Sequence, residues 1–373
     1  VQGIDYAYNM QGWIKGVNST ALTPEKDMGH DGIMDGSINS TFATDAFSYG
    51  LSYYNGDYKP IGNSNWQAKQ QGSGMDNGEL FNGNIRNMTT SIEEFMDPYE
   101  SFGTKYTYDQ LNRIKRMESF QDFDKTTNSW GANNQISSHY NTGYSYDPNG
   151  NIERLERNNS GGSKQDGLFY KYPDNKNYLK FVHDKVTSTT INYTYDSIGN
   201  LIKEQKGSNT TNIDWNLYGK IMEIDKSGGD LTFSYDPTGN RIKKETSDKI
   251  LWYVRDATGN VMAIYFLDNT NNKFYLQEYP IYGSKRIASN KINKELTGTV
   301  ANDNFVFKRA NKQFELTNHL GNVLTTVSDK KLQVVDDNNV FTHFKADVLT
   351  SNDYYPFGMQ MDNRNYSLNS SEY

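Results

Sequence analysis

The stretch that decides the fold reads Tyr193-Thr194-Tyr195-Asp196-Ser197-Ile198-Gly199-Asn200-Leu201-Ile202-Lys203. Its two tyrosines are two residues apart, so on a β-strand they lie on the same face. Asp196 can start a tight turn, because its carboxylate can accept hydrogen bonds from the backbone just after it. Gly199 can adopt the left-handed conformation that closes a type I turn with a G1 bulge. The stretch therefore predicts a β-hairpin with a short loop.

The same pattern recurs along the chain, at 233–242 and 144–152 in clear form and at 6–14, 106–114, 253–261 and 316–323 with substitutions. Asn112 stands where the other copies have glycine, and asparagine tolerates the left-handed conformation best after glycine. The predicted structural residues of these repeats are Tyr106, Tyr108, Asp109, Asn112, Tyr144, Tyr146, Asp147, Gly150, Tyr193, Tyr195, Asp196, Gly199, Phe233, Tyr235, Asp236, Gly239, Asp256, Gly259, Asn318 and Gly321.

These repeats resemble the YD repeats of the Rhs family, which includes bacterial wall-associated and polymorphic-toxin proteins. Two runs, Asn318-His319-Leu320-Gly321-Asn322 and Asp353-Tyr354-Tyr355-Pro356-Phe357-Gly358, resemble the repeat-associated core of that family. The resemblance covers about residues 1 to 366, and the run at 45–54 is similar to the Bacteroidetes branch.

The fold class predicted is all-β, a long strip of consecutive antiparallel hairpins. The resemblance implies that such a strip curls into part of a hollow spiral shell. Along one continuous repeat architecture, we expect degenerate repeats with Gly- and Asn-rich loops at 1–105 and a clear array at 106–265. A core-like end of the shell follows at 266–366, with a polar tail at 367–373. The repeat aspartates fall at 109, 147, 196, 236 and 256, which predicts an irregular array.

Composition favours a folded but thin sheet. The chain has 373 residues, of which 14% are aromatic, with 28 Tyr and 18 Phe, while aliphatic residues are few. We therefore expect a Tyr-rich sheet without a thick aliphatic core. The absence of cysteine excludes disulfides and thiolate sites. No stretch of 18 consecutive apolar residues occurs, so the sequence predicts no membrane span. A net charge of -7 without a basic cluster argues against nucleic acid as a partner.

No catalytic, metal or cofactor site is predicted. The five histidines are scattered, and neither a His-Glu-x-x-His motif, a nucleophile elbow nor a P-loop occurs. Asp27, Asp31 and Asp35 are spaced by four, which does not match an EF-hand loop and predicts a solvated loop with capping carboxylates.

The segment 92–96 is the only plausible helical turn. Ser197 follows an aspartate and precedes an apolar residue, a pattern that predicts O-glycosylation in Bacteroidetes.

The resemblance implies a function without catalysis, namely a structural shell fragment of a secreted polymorphic toxin that encapsulates a C-terminal effector domain absent from this chain. Expected partners are that payload domain, the rest of the shell and the secretion machinery, and the expected location is secreted or at the cell surface. In the family, a self-cleaving segment follows the Tyr-Pro-Phe-Gly region. Val1 reads as mid-strand, so we expect the natural protein to be longer.

Two alternatives remain open. One is a cell-surface carbohydrate-binding or adhesion module built on the same repeats, and the other is a hydrolase with a propeller-like fold, whose blades would repeat more regularly.

Overall fold

The computed structural model describes residues 2–60, 66–68, 74–75, 78–95, 100–131, 138–298 and 308–368. These residues divide into two compact units. One, here called the core unit, comprises Val1–Tyr144, Glu156–Gln165 and Phe314–Tyr373. The other, the repeat unit, comprises Ser145–Leu155 and Asp166–Gln313.

The repeat unit is a succession of β-strands. Its strands are β11 (Phe181–Asp184), β12 (Thr189–Tyr195), β13 (Leu201–Lys206), β14 (Asn209–Trp215), β15 (Ile221–Lys226), β16 (Leu231–Tyr235), β17 (Arg241–Glu245), β18 (Lys249–Arg255), β19 (Val261–Asp268), β20 (Lys273–Tyr282) and β21 (Arg286–Glu295). Each strand from β11 to β20 pairs antiparallel with the next strand along the chain.

The core unit combines strands from both ends of the chain. Its strands are β1 (Tyr6–Tyr8), β2 (Ile14–Val17), β3 (Ala43–Thr44), β4 (Phe47–Ser52), β5 (Asn87–Ile92), β6 (Ser101–Tyr108), β7 (Ile114–Phe120), β23 (Val323–Val335), β24 (Phe341–Tyr354) and β25 (Gln360–Ser367). Four strands contain residues of both units, namely β8 (Thr142–Tyr146), β9 (Ile152–Asn158), β10 (Lys164–Lys171) and β22 (Lys312–Thr317).

All 25 strands of the described residues belong to one hydrogen-bonded sheet, which confirms the prediction of an all-β strip of antiparallel hairpins. A parallel pair, β3 with β24, departs from the antiparallel pattern and joins Ala43 to Phe344. Helical structure in the described residues is confined to two 3-10 turns, Pro24–Lys26 and Ile38–Thr41. The helical turn expected at 92–96 is wrong for residues 92–95, where β5 ends in a turn, and Met96 lies outside the described residues.

The hairpin at Asp196 shows how the repeat works. The Asp196 N–H donates to the Asn200 carbonyl at 2.9 Å, and the Gly199 N–H donates back to the Asp196 carbonyl at 3.3 Å. Asp196 Oδ1 accepts the backbone N–H groups of Ile198 at 3.0 Å and Asn200 at 2.8 Å. Asn200 Nδ2 then donates to Asp196 Oδ2 at 2.9 Å. The turn aspartate and the asparagine four residues later thus form one hydrogen-bonded unit. The repeat pattern in the sequence did not indicate this role of the asparagine.

Glycine or asparagine is favoured at the fourth turn position because the backbone there has positive φ. The predicted left-handed conformation is observed at Gly150 (φ +91°), Gly199 (φ +96°), Gly239 (φ +83°), Gly259 (φ +91°), Gly321 (φ +90°) and Asn112 (φ +63°). The strand register shifts beside the turns at Asn112, Gly199, Gly239 and Gly259, as between Thr194 and Tyr195, which is the expected bulge.

Replacing Gly239 with valine should lower the melting temperature of the protein more than replacing Thr238 with valine. A β-branched residue at positive φ costs roughly 1–2 kcal/mol or more. Thr238→Val removes only the exposed hydrogen bonds of its hydroxyl to Asp236 and Asn240. Thermal unfolding of both variants followed by circular dichroism measures the difference, and equal shifts would contradict the hairpin assignment.

The irregular spacing expected for the array is wrong between residues 196 and 260. A further hairpin joins β14 to β15, where Asn216 N–H donates to the Lys220 carbonyl at 2.9 Å and Gly219 has φ +68°. The turns therefore begin at Asp196, Asn216, Asp236 and Asp256, with a constant spacing of 20 residues. Trp215 replaces the second tyrosine and Asn216 replaces the aspartate, and these two substitutions concealed the copy.

The two units differ in how much apolar surface they bury. Among the described residues of the repeat unit the buried hydrophobic side chains are Leu155, Val182, Ala263, Leu276 and Ala288, which matches the thin sheet expected. The core unit has a substantial interior instead. One cluster there joins Phe47, Tyr49 and Leu51 of β4 to Leu324 and Val327 of β23. The core unit therefore has an interior of mixed aromatic and aliphatic side chains, because strands distant in sequence pack there.

No helix among the described residues has the length and apolar character needed to cross a membrane.

Candidate functional site

Side chains connect each repeat hairpin to the one before it. Tyr235, which precedes the turn aspartate of its hairpin, donates its hydroxyl to the Ile221 carbonyl at 2.8 Å. Ile221 pairs with Trp215 beside the bulge, and β15 pairs with β16 only at Glu223 and Ile224. The Ile221 carbonyl is thus outside the ladder between β15 and β16, and the tyrosine supplies a donor for it.

The same connection recurs with different donors. Trp215 Nε1 donates to the Leu201 carbonyl at 2.9 Å, and Arg255 Nε donates to the Arg241 carbonyl at 3.1 Å. Tyrosine hydroxyls make the equivalent bond from Tyr53 to Ile14, from Tyr108 to Ile85, from Tyr172 to Ile152 and from Tyr354 to Val323. This position therefore needs a long side chain with a terminal donor, which explains why Trp or Arg can replace Tyr there.

Tyr235→Phe should destabilise the protein by about 1 kcal/mol, because it removes this hydrogen bond while keeping the ring. Tyr218→Phe is the matched control, since Tyr218 is almost fully exposed in a turn and should change stability little. Urea unfolding of both variants measures the difference. A loss equal to that of the control would show that the bond between hairpins contributes nothing.

The repeat aspartates are poorly suited to acid catalysis. The hydrogen bond from the Thr258 hydroxyl, together with those from Asn260, lowers the pKa of Asp256 to about 2. A general acid needs a raised pKa instead. The structure thus gives the turn aspartate a structural role. Ser197 lies exposed beside Asp196 in its turn, and its O-glycosylation stays a prediction.

Two sequence runs that are separated along the chain meet at one cavity in the core unit. The cavity has a volume of about 430 Å³ and is lined by Asn318, His319, Leu320 and Asn322 of the first run and by Asp353–Gly358 of the second. Its remaining wall is mostly apolar and aromatic, with contributions from Met88, Phe102, Tyr106, Tyr108, Leu324 and Met361. The volume is within the range of small-molecule sites. The sequence predicted these runs as motifs but gave no indication that they share a cavity.

His319 contributes a neutral polar group to this cavity. Burial lowers the pKa of His319 to about 4, so the imidazole is uncharged near neutral pH. Its ring lies 6.3 Å from the ring of Tyr49, centroid to centroid. His319 Nδ1 is buried and has no hydrogen-bond partner among the described residues. The sequence places His319 within the run at 318–322, and only the tertiary structure shows that it is partly buried.

Asp353, which also lines the cavity, is held in a buried ion pair. Arg364 Nε lies 2.7 Å from Asp353 Oδ2, and both side chains are almost fully buried. The Arg364 guanidinium also lies over the rings of Phe95 at 4.7 Å and Phe102 at 4.3 Å. No hydrogen bond joins Asp353 to His319 in the described part of the chain. The cavity thus shows a fixed charge pair and a neutral imidazole rather than an acid–base pair.

The turn that follows Asp353 repeats the hairpin geometry. Tyr355 N–H donates to the Met359 carbonyl at 2.8 Å, and Phe357 and Gly358 both have positive φ, of +70° and +86°. Tyr355 is buried, and its hydroxyl donates to the Asn158 carbonyl at 2.6 Å. Pro356, which lies between Tyr355 and Phe357 in the sequence, also lines the cavity. The run Asp353–Gly358 therefore fixes the segment after β24 against residues near 158.

The loop between β2 and β3 differs from the expectation of a solvated segment. Asp27 and Asp31 are buried, with 4% and 3% of their surface exposed, and they converge with Asp5. Asp35 stays exposed and caps the Ser37 N–H at 2.8 Å. The sequence spacing associated Asp27 and Asp31 with Asp35. In the structure Asp27 and Asp31 lie close to Asp5 instead, and Asp35 is exposed.

Comparisons with known proteins found no matching family model and no matching curated protein. Solved structures that align with the chain include the crystal structure of TcdB2-TccC3-TEV (TM-score 0.43, 10% identity, 96% of this chain and 16% of that chain). They also include the crystal structure of TcdB2-TccC3-Cdc42 (TM-score 0.40, 9% identity, 98% and 18%). A third is a Photorhabdus luminescens Tc holotoxin pore with a TccC3 mutation (TM-score 0.21, 11% identity, 85% and 19%). The chain spans less than a fifth of each of these chains.

Proposed function

We propose that this chain is a structural shell fragment of a secreted Rhs/YD-repeat polymorphic toxin, and that the shell encloses a C-terminal effector domain. The observation that carries the proposal is the hairpin array at 196–260, with its constant 20-residue spacing and its side-chain hydrogen bonds from each hairpin to the preceding one. A unit that interacts only with its neighbours can be added repeatedly to extend a wall.

The two faces of this array differ in a way that suits a wall around a polypeptide. On one face, a half-buried apolar side chain recurs every 20 residues, at Tyr193, Ile213, Phe233 and Tyr253. The residues that directly follow Tyr193, Ile213 and Phe233 lie on the other face of the sheet. They are polar and exposed, namely Thr194, Asp214 and Ser234. We infer that the aromatic and aliphatic face lines the enclosed space, where partly exposed apolar groups can contact an incompletely folded payload.

In this proposal the segments 1–105, 106–265 and 266–366 are successive parts of one repeat architecture, and 266–366 forms the core-like end of the shell. The partners are the payload domain, the rest of the shell and the secretion machinery. The protein acts outside the cell or at its surface, and this fragment itself has no catalytic role.

Protease protection in the natural full-length protein tests the proposal. The region that forms the enclosed effector domain should resist digestion while the shell is intact. Combining Gly199→Val with Gly239→Val weakens two hairpins of the wall, so digestion of that region should become faster. Thr238→Val is the control and should leave protection unchanged. A region that is digested equally fast in all three proteins would overturn the proposed enclosure.

A glycan array separates this function from that of an adhesion module. The shell proposal expects no saturable binding of the purified chain to any glycan. Specific binding that is lost on substitution of aromatic residues such as Tyr193 or Phe233 would favour the carbohydrate-binding alternative instead.

A further inference from the structure

Three carboxylates from separate parts of the core unit converge at one point. Asp5, Asp27 and Asp31 each offer an oxygen atom, and these atoms all lie within 4.8 Å of one another. Asp5 precedes β1, whereas the other two belong to the loop between β2 and β3. Such close approach of like charges is unfavourable in a partly buried place unless a proton or a cation lies between them.

Hydrogen bonds from the backbone and from Asn18 hold the group in place. Asp27 Oδ2 accepts the Asp31 N–H at 2.8 Å, and Asp31 Oδ2 accepts the Gly3 N–H at 2.6 Å. Asn18 Oδ1 accepts the Asp5 N–H at 2.9 Å. These contacts fix the carboxylates without neutralising them, because amide donors carry no net charge.

One oxygen of the cluster is left without a partner. Only 4% of the surface of Asp27 is exposed. Its Oδ1 atom forms no hydrogen bond in the described part of the chain. A buried carboxylate oxygen without a partner is costly. It is also the atom type that a hard cation would use as a ligand.

The surroundings of the cluster add further negative charge. Asp45 lies beside it, where Asn18 Nδ2 donates to Asp45 Oδ1 at 2.8 Å. None of the four carboxylates forms an ion pair with a basic side chain of the described residues.

We propose that Asp5, Asp27 and Asp31 bind a calcium ion, which fastens the loop after β2 to the segment before β1. The donors are all oxygen atoms, and no histidine or cysteine belongs to the cluster, so zinc and other soft metals are disfavoured. Calcium accepts an irregular set of six to eight oxygen ligands, whereas Mg²⁺ needs a nearly ideal octahedron. A site built from separate segments of loop suits calcium better. This inference does not depend on the proposed function.

Calorimetric titration of the chelator-treated chain with calcium chloride near neutral pH tests the site. We expect one saturable site with a dissociation constant on the order of 10⁻⁴–10⁻³ M, as in extracellular calcium modules. At about twentyfold excess of calcium over that constant, the melting temperature should rise by about 2–4 °C. Magnesium at the same concentration should have a smaller effect.

Matched variants of the same loop make the test specific. Asp27→Asn should abolish the calorimetric signal and the shift in melting temperature. Asp35→Asn, which alters the exposed aspartate at the same four-residue spacing, should preserve both. Asp5→Asn changes a half-buried ligand outside the loop, so it provides a second variant if Asp27→Asn does not fold.

Three results would overturn the proposal: no response to calcium in the unaltered chain, an equal response to magnesium, or the same calcium response in the Asp5 or Asp27 variant as in the Asp35 variant. The first result would leave a proton shared among the carboxylates as the explanation of the cluster.

Discussion

Arg364→Met should destabilise the core unit by about 3–5 kcal/mol, because it leaves the Asp353 carboxylate buried without its counter-charge. Arg364 has 2% of its surface exposed and Asp353 has 3%, and the guanidinium forms short contacts with one carboxylate oxygen at 2.7 and 2.6 Å. The substitution also removes the cation from the rings of Phe95 and Phe102. Urea unfolding followed by tyrosine and tryptophan fluorescence measures the loss.

Two further variants isolate the cause of that loss. Lys164→Met breaks the exposed pair with Glu156 in the same unit and should cost less than about 1 kcal/mol. Combining Arg364→Met with Asp353→Leu removes both charges and should recover most of the stability lost in the single variant. If the double variant were as unstable as the single one, the loss would come from packing rather than from the unpaired charge.

Asp57→Asn should have a comparable effect, about 3–5 kcal/mol, at the other buried ion pair of the core unit. Lys15 is fully buried, and its Nζ lies 2.7 Å from Asp57 Oδ2 and 2.5 Å from the Leu51 carbonyl. Burial lowers the pKa of Lys15 to about 8, and the charge of Asp57 opposes that decrease. Asparagine can still accept the Tyr53 N–H, but it cannot balance the ammonium charge.

The effect of Asp57→Asn should depend on pH in a defined direction. The pKa of Lys15 is lower in the folded protein than its value of 10.5 in the unfolded chain, so the unfolded state binds more protons between those values. Stability from this group therefore rises as pH increases from about 8 to about 10.5. The destabilisation should be smaller at about pH 9.5 than at about pH 7, when unfolding is measured at both. A loss independent of pH would contradict the assignment to the unpaired lysine.

The predictability of the repeat rests on interactions that are local in sequence. A turn such as that at Asp196 is closed by bonds between residues two to four apart, so the aspartate and the glycine are visible in the sequence. The copy at Trp215 and Asn216 was missed because other side chains there supply the same hydrogen bonds. Tryptophan donates through Nε1 as tyrosine does through its hydroxyl, and the Asn216 oxygen accepts as a carboxylate would.

The candidate sites were less predictable because they are formed from distant residues. His319 and Asp353 were visible as parts of two motifs, but their common cavity depends on β23 and β24 packing in the core unit. Asp5 and Asp31 are 26 residues apart in number, and no local pattern associates them. Burial of the ion pairs Arg364–Asp353 and Lys15–Asp57 follows from the same long-range packing.

The sequence by itself therefore determined the strand, the turn and the antiparallel hairpin, since period-two alternation and the left-handed glycine act within about ten residues. Only the tertiary structure decided that β3 pairs in parallel with β24 and that strands from both ends of the chain share a core. It also decided that Asp27 and Asp31 are buried while Asp35 is exposed. The physical reason is that burial depends on which distant segments meet, whereas local patterns specify only the backbone conformation of each segment.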